Sequence, residues 1–173
     1  TGSIVVMDVN NGQLLCCVSS PNFNPNMFSR GIKSKEWKSL LDNKKAPLLF
    51  RAVSGLYSPG STIKMAVALA ALEAGVIGYD TKFFCNGVKE YGNMKFHCWY
   101  KHGHGNINLS QAIERSCDVF FYELGLKVGI EKISVMLKKL GLSSDIDLEL
   151  NEIRKGLVPT KKWKLETKGT KWT

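Results

Sequence analysis

The chain has 173 residues, 44% of them hydrophobic, and a formal net charge of +9 at pH 7. That is enough for one domain with a real core, and no apolar run approaches the roughly 18 residues of a membrane-spanning helix. The positive charge comes mainly from lysines and reads first as a solubilising surface, second as a face for an anionic partner.

The chain opens Thr1-Gly2-Ser3 with no initiator methionine or signal peptide, as a piece of a longer protein would. Residues 4–9 and 13–19 flank Asn10-Asn11-Gly12, and Asn-Gly is a strong hairpin signal. Both strands are apolar at nearly every position, which predicts a sheet covered by helices on both faces. Cys16 and Cys17 are adjacent in a strand and so point to opposite faces. A short helix is expected over 33–41 and a polar loop over 43–47.

A turn at Ser58-Pro59-Gly60 then breaks into a predicted helix over 61–74, apolar almost all round and stopped by Gly75. Residues 81–100 read as short strands and turns around Gly87 and Gly92. Asn108 with Gln111 forms a capping box for a helix that runs to Ser116-Cys117-Asp118. A second apolar helix follows over 119–128, ending at Gly129. A third covers 130–140, with Ile130, Ile133, Leu137 and Leu140 on one stripe, ending at Gly141. Residues 142–173 are expected to be extended, with a lysine-rich tail from Lys161.

Ser61 and Lys64 stand three apart at the predicted helix start and share a face. Serine is a weak nucleophile that needs a base, and a neutral lysine can be one. A helix N-terminus suits the oxyanion such chemistry creates. Ser116-Cys117-Asp118 puts a hydroxyl and a carboxylate together at a junction of helices, where Asp118 is also a natural N-cap. Cys85, Cys98 and Cys117 bracket a group of histidines. Three cysteines and one histidine make a closed structural zinc site. One disulfide with a spare thiol is the alternative, since the five cysteines of the chain are an odd number.

Together these stretches resemble the class B penicillin-binding transpeptidases, and among them the elongation type. Residues 2–26 resemble the opening hairpin with its Pro21-Asn22-Phe23-Asn24-Pro25-Asn26 sequel. Pro59-Gly60-Ser61-Thr62-Ile63-Lys64 matches the first motif, S-x-x-K. Ser116-Cys117-Asp118 before Val119-Phe120-Phe121-Tyr122 matches the second in its S-x-D form, and Gly156-Leu157-Val158-Pro159-Thr160 with Trp163 resembles the segment beyond the helical subdomain.

The resemblance implies an α/β (α+β) penicilloyl-serine transferase fold: an incomplete antiparallel sheet flanked by helices, with a helical subdomain. It implies a division into residues 1–75, 76–141 and 142–173. Ser61 would be acylated by a peptidoglycan stem peptide or a β-lactam, with Lys64 as general base. Ser116 would relay a proton to the leaving amine, and Asp118 would orient substrate and lysine. Gly103-His104-Gly105 matches the subfamily's Gly-His-Gly, so zinc would sit on Cys85, Cys98, His104 and Cys117 and hold the second motif against Ser61. His97 and His102 would be exposed. The implied partners are stem peptides, their lipid-linked precursor and a glycan polymerase of the elongation machinery. The implied location is the periplasmic face of the bacterial inner membrane, through an N-terminal anchor.

The family's third motif, K-T-G, has no counterpart. Lys168-Gly169-Thr170 has the wrong order and lies in a basic tail without a strand pattern. The fragment is therefore expected to be catalytically crippled, with an open sheet edge. Tyr91-Gly92-Asn93 resembles a class D β-lactamase motif but precedes Ser116, and reads as a turn. A serine β-lactamase or β-lactam sensor would need a deacylation base, and none stands out. A basic zinc-stapled nucleic-acid module would leave the Ser–Lys helix unexplained, since the lysines are scattered and no aromatic platform is interleaved with them. No nucleic-acid partner is expected.

Overall fold

The structure is a computed structural model that describes residues 1–29, 31–146, 148, 150 and 153–172. The chain forms two compact units, Thr1–Tyr57 with Ile146–Lys155, and Ser58–Asp145 with Gly156–Thr173. The cut falls at 57/58, so the Ser–Lys segment packs with the subdomain that follows it.

In the first unit, β1 (Gly2–Met7) and β2 (Leu14–Ser20) form the expected antiparallel hairpin. Val5 faces Cys17, and a bulge falls between Val6 and Met7. The Asp8 carboxylate folds the turn by accepting from the Asn10 backbone N–H at 2.8 Å, and Gly12 supplies the left-handed residue at φ 76°. Two helices follow, α1 (Ser34–Leu41) and α2 (Arg51–Ser54). The Ser19 hydroxyl donates to the Leu49 carbonyl and accepts from the Arg51 N–H, which ties β2 to the start of α2. Arg51 is buried, and its guanidinium is satisfied by the carbonyls of Lys45, Ala46 and Leu49. Among the described residues α2 packs on both strands, but the expected cover on both sheet faces is incomplete: every residue of β1 is exposed, Ile4 at 64%. An apolar run records what a strand tolerates on its faces, and does not itself supply the cover.

The second unit is built around α3 (Lys64–Glu73). The expected helix from Ser61 starts later, because residues Gly60–Ile63 form a 3₁₀ turn. Ala68, Ala70 and Ala71 pack with Ala112, Phe120 and Leu124 in the main core. Met65 and Leu69 are exposed, so the helix is buried on most faces but not all. Its end is a Schellman motif on Gly75 (φ 63°), with the Val76 N–H bonded to Ala71 O and the Gly75 N–H to Leu72 O.

Four short strands follow: β3 (Lys82–Cys85), β4 (Val88–Tyr91), β5 (Met94–His97) and β6 (Gly105–Asn108). β3 pairs with β6 and β4 with β5, both antiparallel. Tyr91 pairs with Met94, which confirms Gly92-Asn93 as a two-residue hairpin turn. Asn108 caps α4 (Leu109–Glu114) in the expected reciprocal box with Gln111. Then come α5 (Asp118–Val128) and α6 (Ile130–Lys139). The buried stripe of α6 is Ser134, Met136 and Leu137, and Leu140 is half exposed beyond the helix end. Residues 161–168, expected to be extended, form α7 (Lys161–Lys168). The Thr160 hydroxyl caps it by accepting from the Trp163 N–H at 3.1 Å. Lys168-Gly169-Thr170 is its C-terminal stop, with Gly169 at φ 64°.

Candidate active site

Ser61 is exposed on the 3₁₀ turn that leads into α3, at the position Pro59-Gly60 turns outward. Side chains three apart eclipse in a 3₁₀ turn, so Ser61 and Lys64 still share a face. The Lys64 ammonium, however, is committed elsewhere. It donates to Asp118 Oδ1 at 2.6 Å, to the Ser116 carbonyl at 2.8 Å and to Ser116 Oγ at 3.1 Å. Three acceptors use the three donors of an ammonium, and Ser61 is not among its partners. The Lys64 and Asp118 side chains are only 12% and 21% exposed, so the pair is weakly screened. The Phe121 ring lies 5.6 Å from the Lys64 amine.

Ser116 is placed by the end of α4. That helix closes in a second Schellman motif: the Cys117 N–H bonds to Ala112 O at 2.9 Å and the Ser116 N–H to Ile113 O at 3.1 Å. Ser116 occupies the left-handed position at φ 49°, where glycine is usual. A side chain there costs roughly 1 kcal/mol. This is a strained residue at the start of the second motif.

Asp118 is not the N-cap of α5. Cys117 takes that place, its sulfur accepting from the Phe120 N–H at 3.4 Å, and Asp118 is the first helical residue. The carboxylate is thereby free to face outward. Oδ1 meets Lys64, and Oδ2 accepts from the Trp99 backbone N–H at 3.0 Å. Sequence reasoning missed Trp99, whose position directly after Cys98 was the available signal.

The ligand atoms of Cys85, Cys98, His104 and Cys117 all lie within 4.8 Å of one another. His104 turns Nδ1 to the cluster, 3.7 Å from Cys85 Sγ and 3.6 Å from Cys98 Sγ. His97 and His102 are exposed, as expected. All five cysteines are free. Burial, opposed by the Phe120 N–H, pushes the Cys117 thiol up to about 12, with neighbouring Cys85 and Cys98 adding to the rise. Burial also raises the Cys98 thiol, but backbone hydrogen bonds around Tyr100, Asp118 and Val119 outweigh it and lower the net value. Burial, helped by Arg115, holds His104 below the usual histidine range. The cluster closes because two chain segments cross at glycines. A Cβ on Gly103 would stand 2.3 Å from the Cys85 carbonyl oxygen, and one on Gly87 would stand 2.2 Å from that of Lys101. Such a set of soft donors, three of them buried, could hold a metal ion.

The chain matches the family described as penicillin binding protein transpeptidase domain over residues 2–173. It is 39% identical over 173 residues to the peptidoglycan D,D-transpeptidase MrdA of Acinetobacter baumannii, a match covering 99% of this chain and 26% of that protein. The structure of penicillin-binding protein 2 (PBP2) in complex with MreC from Helicobacter pylori superposes with a TM-score of 0.94 at 41% identity, covering 99% of this chain and 32% of that one. Pseudomonas aeruginosa PBP2 in complex with WCK 5153 gives a TM-score of 0.92 at 36% identity, over 99% of this chain and 40% of that one. The chain spans about a quarter of the length of the curated relatives it matches. The fold is that of the penicillin-binding transpeptidases, and the chain belongs to the penicillin binding protein transpeptidase domain family, on the class B branch of PBP2 and MrdA.

Proposed function

We propose that this chain is part of a serine D,D-transpeptidase that cross-links peptidoglycan stem peptides and is acylated by β-lactams. The observation that carries the reading is the Lys64 amine, which reaches 52 and 54 residues along the chain to Ser116 Oγ and Asp118 Oδ1. In this mechanism Ser61 Oγ attacks the carbonyl of the terminal D-alanyl peptide bond, and Lys64, in its neutral form, accepts the Ser61 proton. Lys64 passes a proton to Ser116 Oγ as Ser116 gives its own to the departing D-alanine nitrogen. The C–N bond breaks and an acyl-Ser61 ester remains. An acceptor amine of a second stem peptide then attacks the ester, and its proton returns along the same path to Ser61. Asp118 orients the lysine throughout.

Zinc on Cys85, Cys98, His104 and Cys117 accompanies this reading as a structural staple. Zn–S bonds of about 2.3 Å and a Zn–N bond of about 2.0 Å at the tetrahedral angle give S···N separations of about 3.5 Å. The separations found are 3.6 and 3.7 Å. Four protein ligands leave no open position, so zinc would supply folding energy and hold the Cys117 turn. The complete protein would act on lipid-linked precursor beside a glycan polymerase, at the periplasmic face of the inner membrane, with a scaffold of the MreC kind. Among the described residues of this chain, no helix is long and apolar enough to cross a membrane.

The test is covalent labelling of the full-length protein by a fluorescent penicillin. A stable adduct that is lost in Ser61→Ala supports transpeptidation, and rapid turnover of the label would point to a β-lactamase instead. No adduct at all sinks the reading. For the staple, metal analysis that finds no zinc, together with Cys85→Ser of unchanged stability, would overturn it.

A further inference from the structure

We propose that Trp99 is the positioning residue that carries the geometry of the cysteine–histidine cluster to the Lys64–Asp118 pair. The inference rests on the acyl-transfer reading above. Cys98 is a member of the cluster, and the next residue spends one N–H group on the second motif and the other on the residue just before it. The backbone N–H of Trp99 donates to Asp118 Oδ2 at 3.0 Å. Its indole Nε1–H donates to the Arg115 carbonyl at 2.9 Å. Arg115 is the C-cap of α4, so that carbonyl is one of the orphan acceptors every helix end must satisfy.

Trp99 therefore grips the corner at both ends, residue 115 before it and residue 118 after it. Between these anchors lies Ser116, at φ 49°. A strained residue persists only where its surroundings over-determine it, and Trp99 is a part of those surroundings. With one carboxylate oxygen held by Trp99, the other is aimed at Lys64. The Trp99 side chain is not core filling, because the residue is 63% exposed. Its ring rests on Tyr100 and on the cluster's His104, with centroids 5.7 and 5.6 Å away, so the indole packs directly against a member of the cluster. A closed cluster fixes Cys98, Cys98 fixes Trp99, and Trp99 fixes the corner from which Ser116 and Asp118 meet the lysine.

Trp99→Phe in the full-length protein removes the indole donor and keeps a ring. Two readings are taken. In time courses with a fluorescent penicillin, the acylation rate constant at saturation is expected to fall roughly tenfold, while the half-saturating concentration, the bound zinc and the melting temperature stay unchanged. By hydrogen exchange, peptides covering residues 113–119 are expected to exchange roughly fivefold faster, with those of α3 and α6 unaffected. An acylation rate constant within twofold of the parent overturns the proposal, as does a fall matched by an equal loss of zinc. If the parent forms no adduct, the transpeptidase reading fails, and the exchange measurement alone decides the latch: unchanged exchange at 113–119 refutes it.

Discussion

The β1–β2 hairpin and the segment from β3 to β6 make an instructive pair. The hairpin is long-stranded and rich in Ile, Val, Leu and Met, yet Ile4, Val5, Val6 and Met7 are all exposed. The segment has strands of only four residues and few aliphatic side chains, yet Cys85, Cys98 and Ile107 are 2%, 3% and 1% exposed. Burial here follows convergence and not composition. The hairpin carries apolar side chains on two faces and gathers little around them. The segment turns a few side chains to one point, crosses its own backbone at Gly87 and Gly103, and packs Ile107 into the core with Phe120 and Leu124.

The largest expected effect that sharpens this contrast is metal removal. On the proposal that zinc fills the cysteine–histidine cluster, the ion at a thousandfold its dissociation constant contributes about 4 kcal/mol, or roughly 15 °C in a unit of about a hundred residues. Chelation should lower the melting temperature of the second unit by about that amount and leave exchange in the hairpin unchanged. The same site should bind zinc less tightly in acid. The Cys117 thiol, held protonated up to about 12 by burial, must lose its proton to bind, so protons compete with the metal. Chelator competition should show affinity falling at least tenfold per unit as the pH drops from 8 to 6. Affinity independent of pH would remove Cys117 from the ligand set.

Next in size is Ile107→Ala, expected to cost about 3 kcal/mol in urea unfolding. A pair of glycines then isolates the crossing from the backbone angle, since Gly103 and Gly12 have φ of 77° and 76°. A Cβ at Gly12 meets nothing within 4 Å. Gly12→Ala should therefore cost about 1 kcal/mol, the price of the angle alone. Gly103→Ala adds the clash with Cys85 O and should cost about 2 kcal/mol or more, with weaker zinc retention. Equal costs for the two would break the comparison. The smallest effect expected is that of Ile4→Ala in the 173-residue chain, within about 0.5 kcal/mol.

Much of the second unit was legible because it is written in local chemistry. Gly75, Gly129 and Gly141 follow helix ends, and Asn108 with Gln111 announces α4. The four cluster residues named through the family resemblance do converge, and Lys64 does meet Ser116 and Asp118, while Ser61 stays outside that set of contacts. The rest depends on contacts that no local pattern encodes. The 3₁₀ turn under Ser61 is one turn of helix wound tighter, with the same residues. Cys117 displaced Asp118 as cap of α5, because the α4 Schellman turn sets which residue stands at that corner. Helix α7 was missed because its lysines hid a Thr160 cap and a Gly169 stop. The exposure of β1 was invisible because an apolar strand reads alike whether covered or bare. The place of Trp99 beside Cys98 could be read from the sequence, but its two hydrogen bonds to the corner could not.

Ser116 has a further consequence. Its backbone sits where glycine would rest without strain, so the geometry of the turn and the chemistry of the hydroxyl ask for different residues. Selection for robustness alone would draw this position towards glycine, and under the proposed relay its winners would be sturdy and mute. On the proposed relay, a serine in a glycine's seat is backbone ease given up for a hydroxyl.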